Sequence, residues 1–411
     1  MRKLHLVRIR TSYHAVTFVR VKLQLEAQGQ LEIMLGRNLR TFTTSAALRS
    51  TTNCASTAVR SMSGGAIDVH THMYLPSYMD VLRKRTEIPR VITVKGEDRL
   101  VILPGEDKET STSIGRPIGR EYWDINAKLQ YMDKHNIETS IISLANPWLD
   151  FLEGEAAASV AQELNDELQG MCEASGGRLL GMATLPVRNS KAAVKEVARL
   201  ESLSNIRGVI LGTPGAGDGL DAPNTRDMLL AIEDSGLPIF LHPHYGVGNE
   251  HFGDSGHALF LALGFPMETT ICVSRMITSG ALDHMPKLKL LVAHAGAALP
   301  SLIGRLDSCV AHDIHIADRL EHAPTDYLKR MYFDAISYST PAMEHLIKIV
   351  GEDRIMFGTD NPFFPPTGVD ADKVCEHEWP STTKVWSTIG DFDDTVGKKI
   401  IRENAIRIFG K

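Results

Sequence analysis

Short apolar runs alternate with stretches of helical periodicity along most of this chain. Eight runs have the length and the continuous hydrophobic character of strands that are covered on both faces. They span residues 66–72, 138–144, 179–185, 207–212, 238–242, 288–294, 331–336 and 355–360. Between them, apolar residues recur at helical spacing over residues 157–172, 192–203, 225–235, 268–282 and 341–350. This alternation predicts a parallel sheet with helical crossovers.

The number of strands favours a closed barrel. Eight such units predict an α/β fold of the (β/α)8 TIM-barrel class. A doubly wound open sheet is the competing architecture, but it would leave the first and eighth strands far apart. In a barrel these strands are neighbours, and functional side chains collect at the carboxyl ends of the strands.

Two segments fall outside the alternation. Residues 75–125 separate the first strand from its helix, and because an insert of this length is usually functional, we predict a lid or wall over the barrel mouth. Residues 1–64 carry ten Lys or Arg but only two acidic residues. We predict a disordered extension at 1–64 and a barrel domain at 65–411. The extension is either a mitochondrial presequence or lies upstream of a true start at Met62, so the predicted location is mitochondrial or cytosolic.

Composition limits the class of protein. The 411 residues are 43% hydrophobic and 23% charged, which is typical of a globular protein. No apolar run approaches the roughly 20 residues of a membrane-spanning helix, so we expect no membrane association. The formal net charge of −6 argues against a nucleic-acid partner. Five scattered cysteines without a CxxC pair predict free thiols in a reducing compartment.

Side chains that bind metal ions stand at the ends of four apolar runs. Residues i and i+2 of a strand share a face, so His70 and His72 can bind one ion together. A barrel would bring His242, His294 and Asp360 to the same mouth. Three imidazoles and a carboxylate suit zinc, and also manganese or cobalt, with a position left open for substrate. The fourth run ends without a lysine or acid that could bridge two ions, so we predict a single-ion site.

Several longer motifs surround these residues. They are Ile67–His72, Phe240–Pro243, Gly264–Thr270, Ala293–Arg305 and Gly358–Asp360. Together they resemble the amidohydrolase superfamily, and within it the decarboxylase branch typified by 2-amino-3-carboxymuconate-6-semialdehyde decarboxylase. The resemblance covers residues 66–408. Segments that resemble more narrowly the fungal uracil-5-carboxylate (isoorotate) decarboxylases are Ile142–Trp148, His242–Gly246 and Phe357–Pro366.

The resemblance implies a metal site. His70, His72, His242 and Asp360 would hold the ion, and His294 would lie beside it. Independently of the resemblance, loss of CO2 from an unsaturated ring requires prior protonation of that carbon, and we expect Asp360, or His294 through water, to deliver the proton.

The resemblance also implies contacts to substrate. Arg116 falls where the family places an arginine on the substrate carboxylate, and Asn146 and Phe363 fall where isoorotate enzymes contact the pyrimidine. Arg305 matches an arginine that these relatives insert into the neighbouring subunit's site, so a homodimer is implied. Surface ion pairs are the alternative role for both arginines. A departure is Asn361, where many relatives carry a tyrosine.

The sequence therefore predicts a metal-dependent, non-oxidative decarboxylase of a small unsaturated or heteroaromatic carboxylate. The favoured reaction converts uracil-5-carboxylate to uracil, and the muconate semialdehyde is the alternative substrate. A mononuclear hydrolase that uses metal-bound water, with His294 as its base, is a second possibility. A barrel that has lost catalysis and serves as a binding protein is the third.

Overall fold

The computed structural model describes residues 64–102, 106, 114–253, 255 and 257–410. In chain order its strands are β1 (Ala66–Met73), β2 (Arg90–Val94), β3 (Glu97–Val101), β4 (Arg116–Pro117), β5 (Ile137–Leu144), β6 (Leu179–Thr184), β7 (Ile206–Gly212), β8 (Ile239–His242), β9 (Leu290–Val292), β10 (Tyr332–Asp334) and β11 (Ile355–Met356). Eight of them form one parallel sheet in the order β1-β5-β6-β7-β8-β9-β10-β11. All eight residues of β1 are buried, as expected for a strand covered on both faces.

The first and last strands meet and nearly close the barrel. The backbone N–H of Val69 donates to the carbonyl of Phe357 at 3.0 Å, and that of His72 donates to Asn361 at 2.7 Å. An isolated parallel bridge joins Thr71 to Asn361. The predicted (β/α)8 barrel is therefore confirmed, and the residues that end its first and eighth strands are brought together.

Helices cover the outside of the sheet. They are α1 (Pro76–Arg83), α2 (Ile125–Lys134), α3 (Gly154–Ala174), α4 (Ser190–Leu200), α5 (Arg226–Ser235), α6 (His257–Leu259), α7 (Phe265–Thr278), α8 (Leu299–His312), α9 (Ile314–Ala317), α10 (Pro324–Leu328), α11 (Thr340–Val350), α12 (Pro380–Gly390), α13 (Asp394–Lys398) and α14 (Asn404–Phe409). Side chains cap several of them, as Asp124 does when its carboxylate accepts the N–H of Asn126 at the start of α2.

The predicted strands agree with the observed ones, but the last three are shorter than their apolar runs. The backbone explains this for β9, because His294 and Ala295 have φ angles of 57° and 53°. Residues in that left-handed region cannot continue a strand. After β11, Asp360 likewise has a φ of 60°. The chain therefore turns at the positions that carry the candidate ligands.

The insert forms a small structure of its own. Helix α1 is followed by an antiparallel sheet of β2, β3 and β4, which carries Arg116 on its last strand. Leu100 and Pro117 of this sheet, and Ile102 just after β3, line the cavity at the barrel mouth. The prediction of a wall over the mouth is confirmed. The predicted extension, apart from Gly64, lies outside the described residues, so the division at residues 64 and 65 stays a prediction.

One helical stretch among the described residues, His257–Thr278, is long and apolar enough to cross a membrane. The expectation that no stretch reaches this length was therefore wrong. Polar residues interrupt the apolar sequence of this helix, so it does not stand out as one continuous apolar run. Its second half packs on the barrel with Glu268, Cys272 and Met276 buried. Length and composition alone do not distinguish such a barrel helix from a membrane span.

Candidate metal centre and substrate cavity

Histidine and aspartate side chains converge at the carboxyl ends of the strands. Potential ligand atoms of His70, His242, His294 and Asp360 all lie within 4.8 Å of one another. His72 borders this group, with its Nε2 atom 3.5 Å from Oδ1 of Asp360. The five residues that sequence reasoning selected are thus brought together from four strand ends.

Unpaired buried atoms mark the centre of this cluster. Nε2 of His70, His72 and His242 and Oδ1 of Asp360 are buried without a hydrogen-bond partner. Such orphaned polar atoms are costly in a protein interior, and each is a good ligand for a divalent transition ion. The residues present therefore fit a metal ion.

The opposite nitrogen of each ring is fixed by a neighbour. Nδ1 of His70 lies 2.7 Å from Oδ2 of Asp334, and Nδ1 of His72 lies 2.8 Å from Oγ of Ser143. Nδ1 of His242 lies 2.7 Å from the carbonyl oxygen of Pro243. Because that carbonyl can only accept, Nδ1 of His242 carries the hydrogen and Nε2 presents its lone pair. This arrangement orients imidazoles for metal binding.

The electrostatics of the cluster favour a cation. Burial lowers the pKa of His72 to about 4 and that of His242 well below its ordinary value, so both rings are neutral. Burial also acts to lower the pKa of His70, but the carboxylates of Asp360 and Asp334 outweigh it and raise this pKa to about 10. Positive charge is therefore stabilised between His70 and Asp360, and a divalent ion supplies such charge.

Asp360 itself is ionised. Burial raises the pKa of Asp360, but the charge of His70 and the imidazole nitrogens that lie 3.3 to 3.6 Å from its carboxylate hold this pKa well below the ordinary value. Its Oδ2 atom lies 3.6 Å from Nε2 of His294, whose side chain is 18% exposed. His294 thus stands between Asp360 and solvent, where a proton can be passed between them.

Sequence reasoning missed Asp334, which organises the cluster from behind. Besides holding His70, its carboxylate accepts the backbone N–H groups of His294, Ala295 and Ile336 at 2.8 to 2.9 Å. A signal was present, since Asp334 stands within the seventh apolar run and ends β10, as His242 ends β8. Its importance depends on a contact across the barrel that no local pattern encodes.

We expect Asp334→Asn to weaken metal binding about 10- to 100-fold, because outer partners of ligating histidines contribute this much. Titration of the metal-free protein with Mn²⁺ measures the change. Asp326→Asn, at an exposed residue paired with Lys329, is the matched control. Unchanged affinity in Asp334→Asn would show that His70 is oriented by other contacts.

A cavity of about 910 Å³ opens above the cluster. Its lining is mostly apolar and includes Phe260, Leu261 and Met267 of the α6–α7 region. His242, His294 and Asp360 form part of its wall. A mostly apolar cavity with a few converging polar groups is the usual form of a small-molecule site.

Arg116 lies in the wall of this cavity. Its guanidinium donates to the hydroxyl of Tyr74 and lies 4.8 Å from the ring centre of Phe363. Burial acts to lower the pKa of Arg116, but the surrounding phenols raise it, and the group stays charged. Nε of Arg116 is buried without a hydrogen-bond partner. The cavity thus contains a cation with donor capacity to spare.

Asn146 and Phe363 also line the cavity. The amide nitrogen of Asn146 donates to the carbonyl of His244 at 3.4 Å, and its Oδ1 atom is buried without a partner. Phe363 packs edge to face against His72, with 5.5 Å between ring centres. The structure therefore places both residues in the cavity wall, and Phe363 also contacts one of the candidate metal ligands.

Arg305 is placed differently from the other predicted site residues. It lies on the exposed face of α8 and is not among the residues that line the cavity. Within one subunit the structure does not bring Arg305 to the site. This position leaves open its predicted insertion into a neighbouring subunit.

A second residue that sequence reasoning missed is Glu268. Its buried carboxylate accepts the backbone N–H groups of His244, Tyr245 and Gly246 and the hydroxyl of Thr213. These bonds fix the loop that follows β8. The signal was Glu268 itself, which is the only acidic residue of α7.

Comparison with known proteins agrees with this site. The amidohydrolase family matches residues 67–411. A 2-amino-3-carboxymuconate-6-semialdehyde decarboxylase of Dictyostelium discoideum is 24% identical over 305 residues, covering 72% of this chain and 79% of the relative. A gamma-resorcylate decarboxylase of Rhodococcus jostii is 29% identical over 266 residues, covering 59% and 81%.

Solved structures give the same answer. The apo isoorotate decarboxylase (IDCase) of Metarhizium anisopliae superimposes with a TM-score of 0.80 at 38% identity, covering 86% of this chain and 98% of the relative. A 5-carboxyvanillate decarboxylase of Novosphingobium aromaticivorans, solved with manganese, has a TM-score of 0.67 at 21% identity, covering 85% and 97%, and shares the fold. By its sequence and its barrel, this chain belongs to the amidohydrolase family.

Proposed function

We propose that this protein converts uracil-5-carboxylate to uracil and CO2 with the help of a divalent metal ion. Its relatives are named decarboxylases, and the chain is a carboxy-lyase. The observation that carries the proposal is a set of unpaired histidine and aspartate atoms at the base of a cavity whose wall also holds the partly buried cation of Arg116. The likeness to isoorotate decarboxylase supports the substrate.

His70, His72, His242 and Asp360 are the proposed ligands. Three imidazoles and one carboxylate favour zinc, and manganese, which a relative of the same fold contains, suits them as well. When bound, the ion would supply positive charge to the substrate carboxylate and an adjacent oxygen and so fix their direction.

The proposed reaction begins with a proton. Direct loss of CO2 from an unsaturated ring would leave an electron pair in an sp² orbital that cannot be delocalised. Asp360, recharged through His294, therefore protonates the ring carbon that bears the carboxylate. The bond to the carboxylate then breaks, its electron pair returns to the ring, and CO2 departs. One proton replaces one CO2, so no oxidant or reductant is needed.

Three cavity residues would orient the ring. The Arg116 guanidinium would compensate the charge of the substrate. Oδ1 of Asn146 would accept a ring N–H, since the amide nitrogen is already engaged by His244. Phe363 offers an aromatic face against which a planar ring can stack. A pyrimidine carboxylate meets all three requirements.

A homodimer is part of this proposal. Leu263, Met267 and Ile271 lie four residues apart in the α6–α7 region and are 36 to 48% exposed. Leu302 on the adjacent α8 is also exposed, and Arg305 follows it by one helical turn. Exposed apolar side chains at this spacing favour a protein partner. A second copy on this face would cover them and bring Arg305 towards a neighbouring cavity.

The test supplies the metal-loaded protein with uracil-5-carboxylate, 2-amino-3-carboxymuconate-6-semialdehyde and 2,6-dihydroxybenzoate in parallel. We expect CO2 and uracil from the first, with kcat/KM at least about 100-fold above the other two, because an unpaired buried acceptor discriminates strongly. Preference for another carboxylate would contradict the substrate. A hydrolysis product without CO2 would contradict the reaction and favour a hydrolase.

A further inference from the structure

A lysine ammonium is buried directly behind the cluster of candidate metal ligands. Lys128 lies on α2 and is 1% exposed. Its Nζ atom donates to Oγ1 of Thr71 at 2.7 Å and to the side-chain and backbone oxygens of Asn361, the latter at 3.5 Å. All three of its hydrogens thus have acceptors. The proposed reaction gives this cation no role.

Both acceptors adjoin the proposed ligands in sequence. Thr71 stands between the two histidines of β1, and Asn361 follows Asp360. The carbonyl of Asn361 also accepts the hydroxyl of Thr71 at 3.0 Å and the N–H of His72 at 2.7 Å. The Lys128 ammonium therefore lies where the first and last strands meet and close the barrel.

Asp68 holds the other side of the turn that contains Asp360. Its carboxylate accepts the N–H and the hydroxyl of Thr359 at 3.1 and 2.6 Å, and the N–H of His70 at 3.2 Å. Burial raises the pKa of Asp68 to about 6 and lowers that of Lys128 to about 7, while the opposite charge of each acts against burial. Asp360 is therefore flanked by one residue held by Asp68 and one held by Lys128.

The turn needs such restraint. Asp360 has a φ of 60°, and a residue other than glycine stays in the left-handed region only where its surroundings fix it there. A buried pair of charges is a poor source of stability compared with apolar packing. The cost of burying Lys128 and Asp68 is explained if they hold the turn in place.

We propose that Lys128 is a positioning residue that, through Asn361, holds Asp360 in the orientation required by the metal ion and the substrate. This inference rests on the proposed metal site. It assigns a function to a buried residue of α2 and a role to Asn361.

The test replaces the ammonium by a side chain of similar length. For Lys128→Met we expect the affinity for Mn²⁺, measured by calorimetric titration of the metal-free protein, to fall at least about 10-fold. At saturating Mn²⁺ we expect kcat to fall by a similar factor while KM stays within about threefold, because Arg116 still holds the carboxylate. Lys134→Met, at an exposed lysine on the same helix, is the matched control and should match the wild type.

Two further variants separate positioning from charge burial. The double variant Asp68→Asn/Lys128→Met removes both charges, and it should still bind Mn²⁺ weakly if the loss arises from the turn. Asn361→Ala should lose as much affinity as Lys128→Met, and the combination of the two should be little worse than either. Recovery of full affinity in the charge-free double variant would overturn the proposal.

Several other results would overturn it. Wild-type Mn²⁺ affinity and kcat in Lys128→Met, with only a lower melting temperature, would assign Lys128 to fold stability. Additive losses in Lys128→Met and Asn361→Ala would show that Lys128 does not act through Asn361. If Lys128→Met does not fold, wild-type affinity in Asn361→Ala is decisive. Because Mn²⁺ binding needs no substrate, failure of the proposed reaction in the wild-type protein is a separate result.

Discussion

We expect Asp360→Asn to lower kcat for CO2 release by at least about 10³-fold. The amide has the shape of the carboxylate but cannot accept and return a proton, and general acid–base groups contribute about 10² to 10⁴. The amide also weakens one proposed ligand, whose Oδ1 atom faces the imidazoles of His70 and His72. Both effects act on the reacting centre and not on the fold.

The experiment measures kcat, bound metal and melting temperature on the same preparation. Asp318→Asn, at an exposed aspartate outside the cavity wall, is the control and should behave as the wild type. An Asp360→Asn protein that binds metal fully and keeps more than a tenth of the wild-type kcat would exclude Asp360 as the proton donor.

We expect Arg305→Ala to lower activity by about 100-fold, as loss of one preorganised charged donor does. In one subunit Arg305 is exposed and outside the cavity, so a large loss would require that it acts in the site of a second copy. A surface arginine without such a role would leave activity unchanged when removed.

Mixing inactive variants tests the shared site directly. In a dimer of one Asp360→Asn subunit and one Arg305→Ala subunit, one of the two sites contains both native residues. Unfolding and refolding equal amounts together should therefore restore about a quarter of wild-type activity, since half of the dimers are mixed. Arg319→Ala, at another exposed arginine, is the matched control for Arg305→Ala. No recovery in the mixture, from variants shown to form mixed dimers, would contradict a site shared between subunits.

The barrel and the candidate ligands could be predicted from the sequence for the same reason. Strands buried on both faces appear as continuous apolar runs, and polar side chains at their ends stand out against that background. His72, His242 and Asp360 could therefore be selected without coordinates. The insert could be recognised as a wall because its length is unusual for a loop, although its three-stranded sheet could not be foreseen.

The remaining parts of the site depend on contacts between distant segments. Asp334 matters because its carboxylate meets His70 across the barrel, and Lys128 matters because α2 brings it behind Asn361. Neither contact has a periodic signature in the chain. Glu268 is a third such case, since the burial of its carboxylate depends on the loop it holds.

The central claim is that one divalent ion, held at the mouth of the barrel, is required for decarboxylation. The most direct measurement determines metal content and CO2 release from uracil-5-carboxylate on one sample before chelation, after chelation and after Mn²⁺ or Zn²⁺ is restored. The account predicts one ion per chain, loss of activity with the ion and recovery on its return. Undiminished CO2 release from protein shown to be free of metal would contradict it.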